Sequence, residues 1–210
     1  MRIKTFVLGA FQTNSYVLRS EDSSTACVVI DTGLTADTLT AFLQAKSYTP
    51  KALILTHGHA DHIAGVPELI ALWPELTVYA HQAEASVLSD PNLNLSTMAG
   101  TPMAIECAVQ HVVQDQIIEA AGIRLKALHT PGHTQGGMSL YAEERGVVFS
   151  GDTLFAESVG RTDFPGGSQA TLIQSIRDQL FVLPDETRVY PGHGPSTTIG
   201  HEKQHNPYAN

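Results

Sequence analysis

Four residues that bind metals well occur within six positions, directly after a run of apolar residues. The segment 56–62 reads Thr-His-Gly-His-Ala-Asp-His. Imidazole nitrogens and carboxylate oxygens are common ligands of transition metals, and a solvated loop has no need of them at this density. His57 and His59 alternate with small residues, so on an extended turn both imidazoles point to one side, and Asp61 and His62 can be aimed at a second point nearby. The segment therefore predicts a metal site at the end of a buried strand.

Three further candidate ligands lie at predicted strand ends beside glycine residues. They are His133, Asp152 and His193. Glycine allows tight backbone geometry and close approach of the chain to a bound ion. Together with the four residues above, they give the order HxHxDH, then His, Asp and His, which is a set of seven candidate ligands.

Short apolar strands alternate with amphipathic helices along the chain. Strands are expected at 1–10, 15–18, 27–30, 52–55, 123–128, 138–141, 147–149 and 187–190. Helices are expected at 36–46, 67–73 and 82–88, and from 168 onward. Because no linker-like stretch divides the chain, we expect a single α/β domain over residues 1–210, with two packed sheets flanked by helices.

Charge and hydropathy exclude several classes of function. The net charge is −9, with 21 Asp and Glu against 12 Lys and Arg, and no cluster of basic residues offsets it. Such a chain repels phosphate backbones, so nucleic-acid binding is not expected. The apolar run at the amino terminus is too short for a signal peptide, and no stretch approaches the ~20 residues that a membrane helix needs. We therefore expect a cytoplasmic protein with no membrane partner, either a monomer or a small homo-oligomer.

The motifs resemble those of the metallo-β-lactamase superfamily, and within it the hydroxyacylglutathione hydrolases (glyoxalase II) of the short bacterial type. The resemblance spans nearly the whole chain. Its landmarks are the HxHxDH run and the segments 14–16, 29–33, 130–134, 151–155 and 192–193. It implies an αββα four-layer sandwich with the site at one edge of both sheets, and no C-terminal helical substrate domain.

The resemblance also implies two metal sites that share one carboxylate. The first site would comprise His57, His59 and His133, the second Asp61, His62 and His193, and the bridging ligand would be Asp152. Only nitrogen and oxygen donors are present, which suits zinc, iron or manganese. We expect two divalent ions per chain, zinc first, with iron or manganese as alternatives.

A thioester is the substrate class that fits this chemistry. Two divalent ions activate water near neutral pH and polarise a carbonyl group. A thiolate leaves without help, since thiols have a pKa near 8.5, whereas an amide nitrogen needs a proton donor. Asp61 is expected to accept the proton of the attacking water as well as bind metal, and Asp31 resembles the aspartate that orients the histidine motif in this family. The implied reaction converts S-lactoylglutathione and water to lactate and glutathione.

The segment 160–164 bears on specificity for glutathione. It follows Asp152 where longer members of the family place a lysine for the glycyl carboxylate of glutathione. Arg161 can serve there by bidentate contact, or it can be a structural arginine, and both interpretations stay open.

The alternative is an oxidoreductase of the same superfamily, a persulfide dioxygenase that uses one iron and oxygen. It shares the HxHxDH run and a segment like 160–164, and it would bind iron through His57, His133 and Asp152. His193 favours the binuclear hydrolase, because a mononuclear enzyme does not need the second set of ligands.

Overall fold

Two six-stranded sheets form the centre of the protein in the computed structural model, which describes residues 1–21 and 25–209. The first sheet has the spatial order β1 (Arg2–Leu8), β2 (Thr13–Arg19), β3 (Ala26–Ile30), β4 (Thr49–Ile54), β5 (Thr77–His81) and β6 (Val109–Val112). The first three strands pair antiparallel, and pairing from β3 to β6 is parallel. The sheet is therefore mixed, with its parallel part toward β6.

The second sheet is built mainly of antiparallel pairs. Its strands, in chain order, are β7 (Ile117–Ala120), β8 (Ile123–His129), β9 (Met138–Ala142), β10 (Val147–Gly151), β13 (Arg188–Pro191) and β14 (Thr197–Thr198), while β11 (Leu154–Phe155) and β12 (Ser158–Val159) form a separate hairpin. The spatial order is β14-β13-β10-β9-β8-β7, and only the β10–β13 pair among these described strands is parallel. This pair places the ends of β10 and β13 side by side.

The described part of the chain contains six α-helices, five of which lie between strands, while the sixth follows the last strand. They are α1 (Asp37–Ala45), α2 (Ala60–Ile63), α3 (Val66–Leu72), α4 (Ala85–Ser89), α5 (Gln169–Ser175) and α6 (Ile199–His205). Ser168 caps α5 by accepting a hydrogen bond from the Thr171 amide, and the helix continues as a π-helical turn over Ile176–Leu180. Across the described ranges, no helix has both the length and the apolar character needed to cross a membrane.

Successive side chains of a strand point to opposite faces of its sheet, and packing on both faces produces four layers. In β3, Val28 and Ile30 pack between the two sheets, whereas Cys27 and Val29 pack against the layer that contains α1 and α3. A third cluster packs the outer face of the second sheet against α5 and α6, through residues such as Leu172. Strand β3 is apolar throughout because both of its faces are covered. The αββα sandwich implied by the sequence resemblance is thus confirmed.

Most of the expected elements are present with shifted ends, and some elements were missed. The helix expected at 82–88 begins as a 3-10 turn over Gln82–Glu84 before α4. The short strands β5, β6, β7, β11, β12 and β14 were not predicted. The strands β6 and β7 lie at sheet edges and expose several of their residues, so they lack the apolar runs by which the other strands were recognised. The segment after His59 was expected to be a turn, and it is the short helix α2.

Candidate metal centre

The seven candidate ligands all follow the carboxyl ends of strands or the turns just beyond them. The segment after β4 supplies four, the turn after β8 supplies His133, and the ends of β10 and β13 supply Asp152 and His193. The structure brings all seven together at one edge of the two sheets. Pairing of β10 with β13 and packing of one sheet on the other provide this convergence.

Three histidines form a first group of possible ligands. His59 Nδ1 lies 2.8 Å from His133 Nε2. The ring of His57 stands 4.9 Å from that of His59 and 4.8 Å from that of His133, between centroids. Ligand atoms of these three buried side chains lie within 4.8 Å of one another. The spacing is that of donors facing a common point.

Asp61, His62 and His193 form a second group next to the first. His193 Nε2 lies 3.2 Å from Asp61 Oδ2, and His62 Nε2 lies 3.5 Å from the same oxygen. The Nε2 atoms of the two histidines are 3.3 Å apart. These three side chains offer two nitrogens and one carboxylate at one point.

Asp152 lies between the two groups. Its Oδ1 is 3.4 Å from His62 Nε2, and its Oδ2 is 3.4 Å from His193 Nε2 and 3.7 Å from His133 Nε2. A carboxylate in this position contacts members of both groups, as the predicted bridging role requires.

Backbone carbonyl groups fix the orientation of two of the histidine rings. His133 Nδ1 donates to the Arg161 carbonyl at 2.6 Å, and His193 Nδ1 donates to the Phe11 carbonyl at 3.0 Å. Because a carbonyl oxygen can only accept, Nδ1 carries the proton and Nε2 keeps its lone pair when the ring is neutral. Metal-binding histidines are held by hydrogen bonds of this kind on the far side of the ring.

Asp31 performs the same task for the histidine motif. This aspartate is 1% exposed, and its Oδ2 accepts from His62 Nδ1 at 2.8 Å and from Thr56 Oγ1 at 2.7 Å. Its Oδ1 accepts from the Thr56 amide at 2.8 Å, while Thr56 Oγ1 lies 3.1 Å from His57 Nδ1. One carboxylate therefore orients two rings, one directly and one through a hydroxyl group.

Buried donor atoms that make no hydrogen bond indicate that these residues fit a bound metal. Within the described part of the chain, His57 Nε2 and Asp152 Oδ1 are buried and make no hydrogen bond. Burial keeps the pKa of His57 well below its usual range, and burial with the charge of His133 lowers the pKa of His59 to about 3. A neutral imidazole nitrogen that makes no hydrogen bond, beside an ionised carboxylate, is the donor chemistry that a divalent cation requires.

The second group holds charge that a cation would replace. Burial lowers the pKa of His62, but Asp61, Asp152 and Asp31 together raise it well above its ordinary value. Burial also opposes protonation of His193, and hydrogen bonds to Asp152 and Asp61 nevertheless raise its pKa to about 9. The protons on these rings compensate carboxylates that would otherwise be buried with unbalanced charge.

Two residues that support the centre were not predicted. Thr13 Oγ1 donates to Asp61 Oδ2 at 2.9 Å. Glu84 is fully buried, and its Oε1 accepts from Thr134 Oγ1 and, at 3.1 Å, from the Gly136 amide in the loop that follows His133. Neither lies in a motif, so only the tertiary structure reveals them.

A Glu84→Gln variant is expected to gain stability relative to the parent as pH rises. Burial, opposed by hydrogen bonds from Thr134 and Gly136, raises the pKa of Glu84 from 4.5 to about 7. A carboxyl with a raised pKa contributes most below its unfolded-state value and loses that contribution as pH rises toward 7. Glutamine keeps an acceptor for both donors and does not ionise, so the difference should reach at most about 3 kcal/mol by pH 8.

Urea unfolding of both proteins between about pH 5 and pH 8 measures this difference. Glu84→Ala is the control, because it leaves two buried donors unpaired and should be destabilised by about 1–3 kcal/mol throughout. Parallel stability curves for the parent and the glutamine variant would show that the pKa of Glu84 is not raised in the folded protein.

A cavity of about 590 Å³ opens over the metal centre. Arg161 lies on its rim, where its Nε and Nη2 donate to Asp163 at 3.0 and 2.7 Å and its guanidinium lies 4.4 Å from the centre of the Phe164 ring. These bonds use two of the five guanidinium N–H groups, so both hydrogens of Nη1 and the second hydrogen of Nη2 stay available for a ligand carboxylate. The predicted role of Arg161 in substrate binding stays a prediction.

A model of the metallo-beta-lactamase superfamily matches residues 8–193. The chain belongs to the metallo-beta-lactamase superfamily. The match includes all seven candidate ligands together with Asp31 and Arg161. The superfamily includes dinuclear metalloenzymes, and the histidines and aspartates grouped in this chain fit a centre of that kind.

Relatives of this superfamily member align along its whole length. The probable metallo-hydrolase YqgX of Bacillus subtilis is 36% identical over 100% of this chain and 98% of its own. Hydroxyacylglutathione hydrolase GloC of Haemophilus influenzae is 32% identical over 100% of this chain and 99% of its own. Similarity to these relatives places this chain among the metallo-hydrolases.

Solved structures of the superfamily superpose closely. BLEG-1 B3 metallo-beta-lactamase gives a TM-score of 0.92 at 38% identity and covers 100% of both chains. TTHA1623 in a di-iron-bound form gives 0.85 at 35% identity, with 98% of this chain and 99% of its own covered. ETHE1 from Myxococcus xanthus gives 0.82 at 30% identity, with 100% and 85% covered.

Proposed function

We propose that this protein is a binuclear metal-dependent hydrolase that acts on thioesters, with S-lactoylglutathione as the first substrate to test. The observation that carries the proposal is the second ligand group. Asp61, His62 and His193 are complete beside the three histidines of the first group, and Asp152 contacts both groups. A single ion held by the first group would leave this second set of ligands, of which His62 is fully buried, without a metal.

The residues assigned to each ion follow from the grouping. His57, His59 and His133 would hold one ion, Asp61, His62 and His193 the other, and Asp152 both. Zinc is the first candidate, and the di-iron form of TTHA1623 supports iron as the alternative. Two divalent ions held by these residues would supply Lewis-acid chemistry: a bound water with a pKa of about 7 and a polarised carbonyl oxygen.

Asp61 is proposed as a metal ligand that also accepts the proton of the attacking water. Although burial raises its pKa, the charges of His62 and His193 lower it to about 2. The hydroxyl of Thr13 holds Oδ2 of this carboxylate in place.

The cavity favours a substrate whose leaving group needs no acid. Apart from the candidate ligands, Ser158 and Arg161 are the polar side chains among its described lining residues. Neither protonates an amine readily at neutral pH, because a serine hydroxyl is a weak acid and an arginine keeps its proton. A thiolate departs unassisted, so the lining suits a thioester better than an amide. The similarity to GloC supports the same substrate class.

The alternative function is a mononuclear iron dioxygenase that acts on a persulfide. Similarity to ETHE1 over the whole of this chain is the observation that favours it. It would use His57, His133 and Asp152, and it would leave the second group without a metal.

One preparation purified without chelator distinguishes the two functions. We expect about two metal ions per chain, as two-metal hydrolysis requires, hydrolysis of S-lactoylglutathione, and no oxygen uptake with glutathione persulfide. Elemental analysis, thiol release and an oxygen electrode supply the three measurements. One iron per chain with persulfide-dependent oxygen uptake would overturn the hydrolase and support the dioxygenase.

A further inference from the structure

We propose that the acyl group of the thioester is apolar and lies against a wall of hydrophobic side chains beside the second ligand group, an inference that rests on the proposed thioester hydrolysis. This apolar wall comprises Phe11, Leu95, Met98 and Phe155, all of which line the cavity over the metal centre. Lactoyl, which carries a hydroxyl group, would then be a poorer acyl group than an alkanoyl chain.

Two members of the apolar wall are strongly exposed for side chains of their size. Phe11 is 57% exposed and Met98 is 77% exposed. Phe11 comes from the turn between β1 and β2, and Met98 comes from the segment between α4 and β6. A single exposed hydrophobic residue is ordinary, but convergence of several on one cavity marks a binding surface.

The segment that carries Leu95 and Met98 is hydrogen-bonded to the helix that carries Asp61 and His62. Leu95 has a φ of 65°, in the left-handed region that leucine rarely occupies. Next to it, the buried Asn94 accepts from the Ala60 amide at 2.7 Å through its carbonyl and donates to the Met103 carbonyl at 2.8 Å through its side chain. A strained residue held by such bonds is typical of a functional site. The wall is thus fixed at the first residue of α2, next to Asp61.

Two members of the apolar wall lie next to the second ligand group, whereas the Arg161 backbone lies next to the first, and this difference can orient the substrate. The Phe11 carbonyl accepts from His193 Nδ1, and the Phe155 ring stands 6.1 Å from the His193 ring. The Arg161 carbonyl instead accepts from His133 Nδ1 in the first group. A thiol that carries carboxylates, such as glutathione, would face Arg161, and its acyl group would face the wall.

Affinity is measured first with thioethers, because they cannot be hydrolysed. Each methylene that leaves water should improve binding about fourfold. S-methyl-, S-butyl- and S-hexylglutathione are titrated calorimetrically into the metal-loaded protein, and Kd should fall by that factor per methylene. In parallel, kcat/KM should rise at least about tenfold from butanoyl- to hexanoylglutathione, and S-lactoylglutathione should be the slowest of the three thioesters.

A double variant tests the wall itself. Phe11→Ser with Met98→Ser removes two exposed side chains, so the fold should persist, and the dependence on chain length should flatten. Val182→Ser is the matched control, because Val182 is 70% exposed and lies outside the cavity lining. It should keep the full dependence.

The outcomes separate this inference from the proposed function. Turnover of all thioesters at one rate, with a flat series of Kd values, would overturn the apolar wall and leave the hydrolase intact. Steep affinity without turnover of any thioester would support the wall and overturn the hydrolase. Equal dependence on chain length in the double variant and the parent would overturn the assignment to Phe11 and Met98.

Discussion

Replacing Asp152 by asparagine is expected to lower kcat/KM for thioester hydrolysis about 10³-fold, since a bound metal contributes several kcal/mol to stabilising charge in the transition state. The carboxylate lies within 3.7 Å of members of both ligand groups, and it carries the charge that would hold two cations together. Asparagine keeps the shape and loses that charge. Metal content should fall below two ions per chain, which elemental analysis measures alongside thiol release.

Asp115→Asn is the matched control for that change. Asp115 is exposed, lies outside the centre and pairs with Lys126 at 2.6 Å. Exposed ion pairs contribute only about 0–1 kcal/mol, so metal content and rate should be unchanged. An asparagine at 152 that retains two ions and the parental rate would show that Asp152 does not bridge the metals.

Replacing Asp31 by alanine is expected to destabilise the protein by about 3–5 kcal/mol, because it leaves a buried ionic partner unpaired. Three donors lose their acceptor: the Thr56 amide, Thr56 Oγ1 and His62 Nδ1. For a chain of this size, the melting temperature should fall by roughly 6–20 °C. Metal affinity should weaken about 10–100-fold, because the rings of His57 and His62 lose their orientation. Calorimetry and competition with a chromogenic chelator measure the two effects.

Asp31→Asn distinguishes orientation from simple loss of volume. Asp31 has a φ of 53°, which asparagine tolerates, and the amide oxygen still accepts from the Thr56 amide. The amide group cannot accept from both Thr56 Oγ1 and His62 Nδ1, so metal affinity should still fall while much of the stability returns. Unchanged metal affinity in both variants would refute the orienting role.

Local sequence was enough to predict the layers and the ligand candidates. The run 27–30 is apolar at every position because the strand is covered on both faces, which a sequence shows directly. The HxHxDH segment concentrates donors that a solvated loop does not need, and its expected position after a buried strand is confirmed. The edge strand β6 escaped prediction, because its exposed polar residues Gln110 and His111 interrupt the apolar run by which strands were recognised.

The sequence by itself determined which side chains can bind metal, since ligand chemistry depends on residue type. The family resemblance implied how they group, but only the tertiary structure shows the donors within reach of one another, because they come from four strand ends separated by up to 136 positions between His57 and His193. It also revealed Glu84, Thr13 and the exposed Met98, none of which lies in a motif. Their roles depend on contacts between distant segments, and such contacts leave no local pattern in a single sequence.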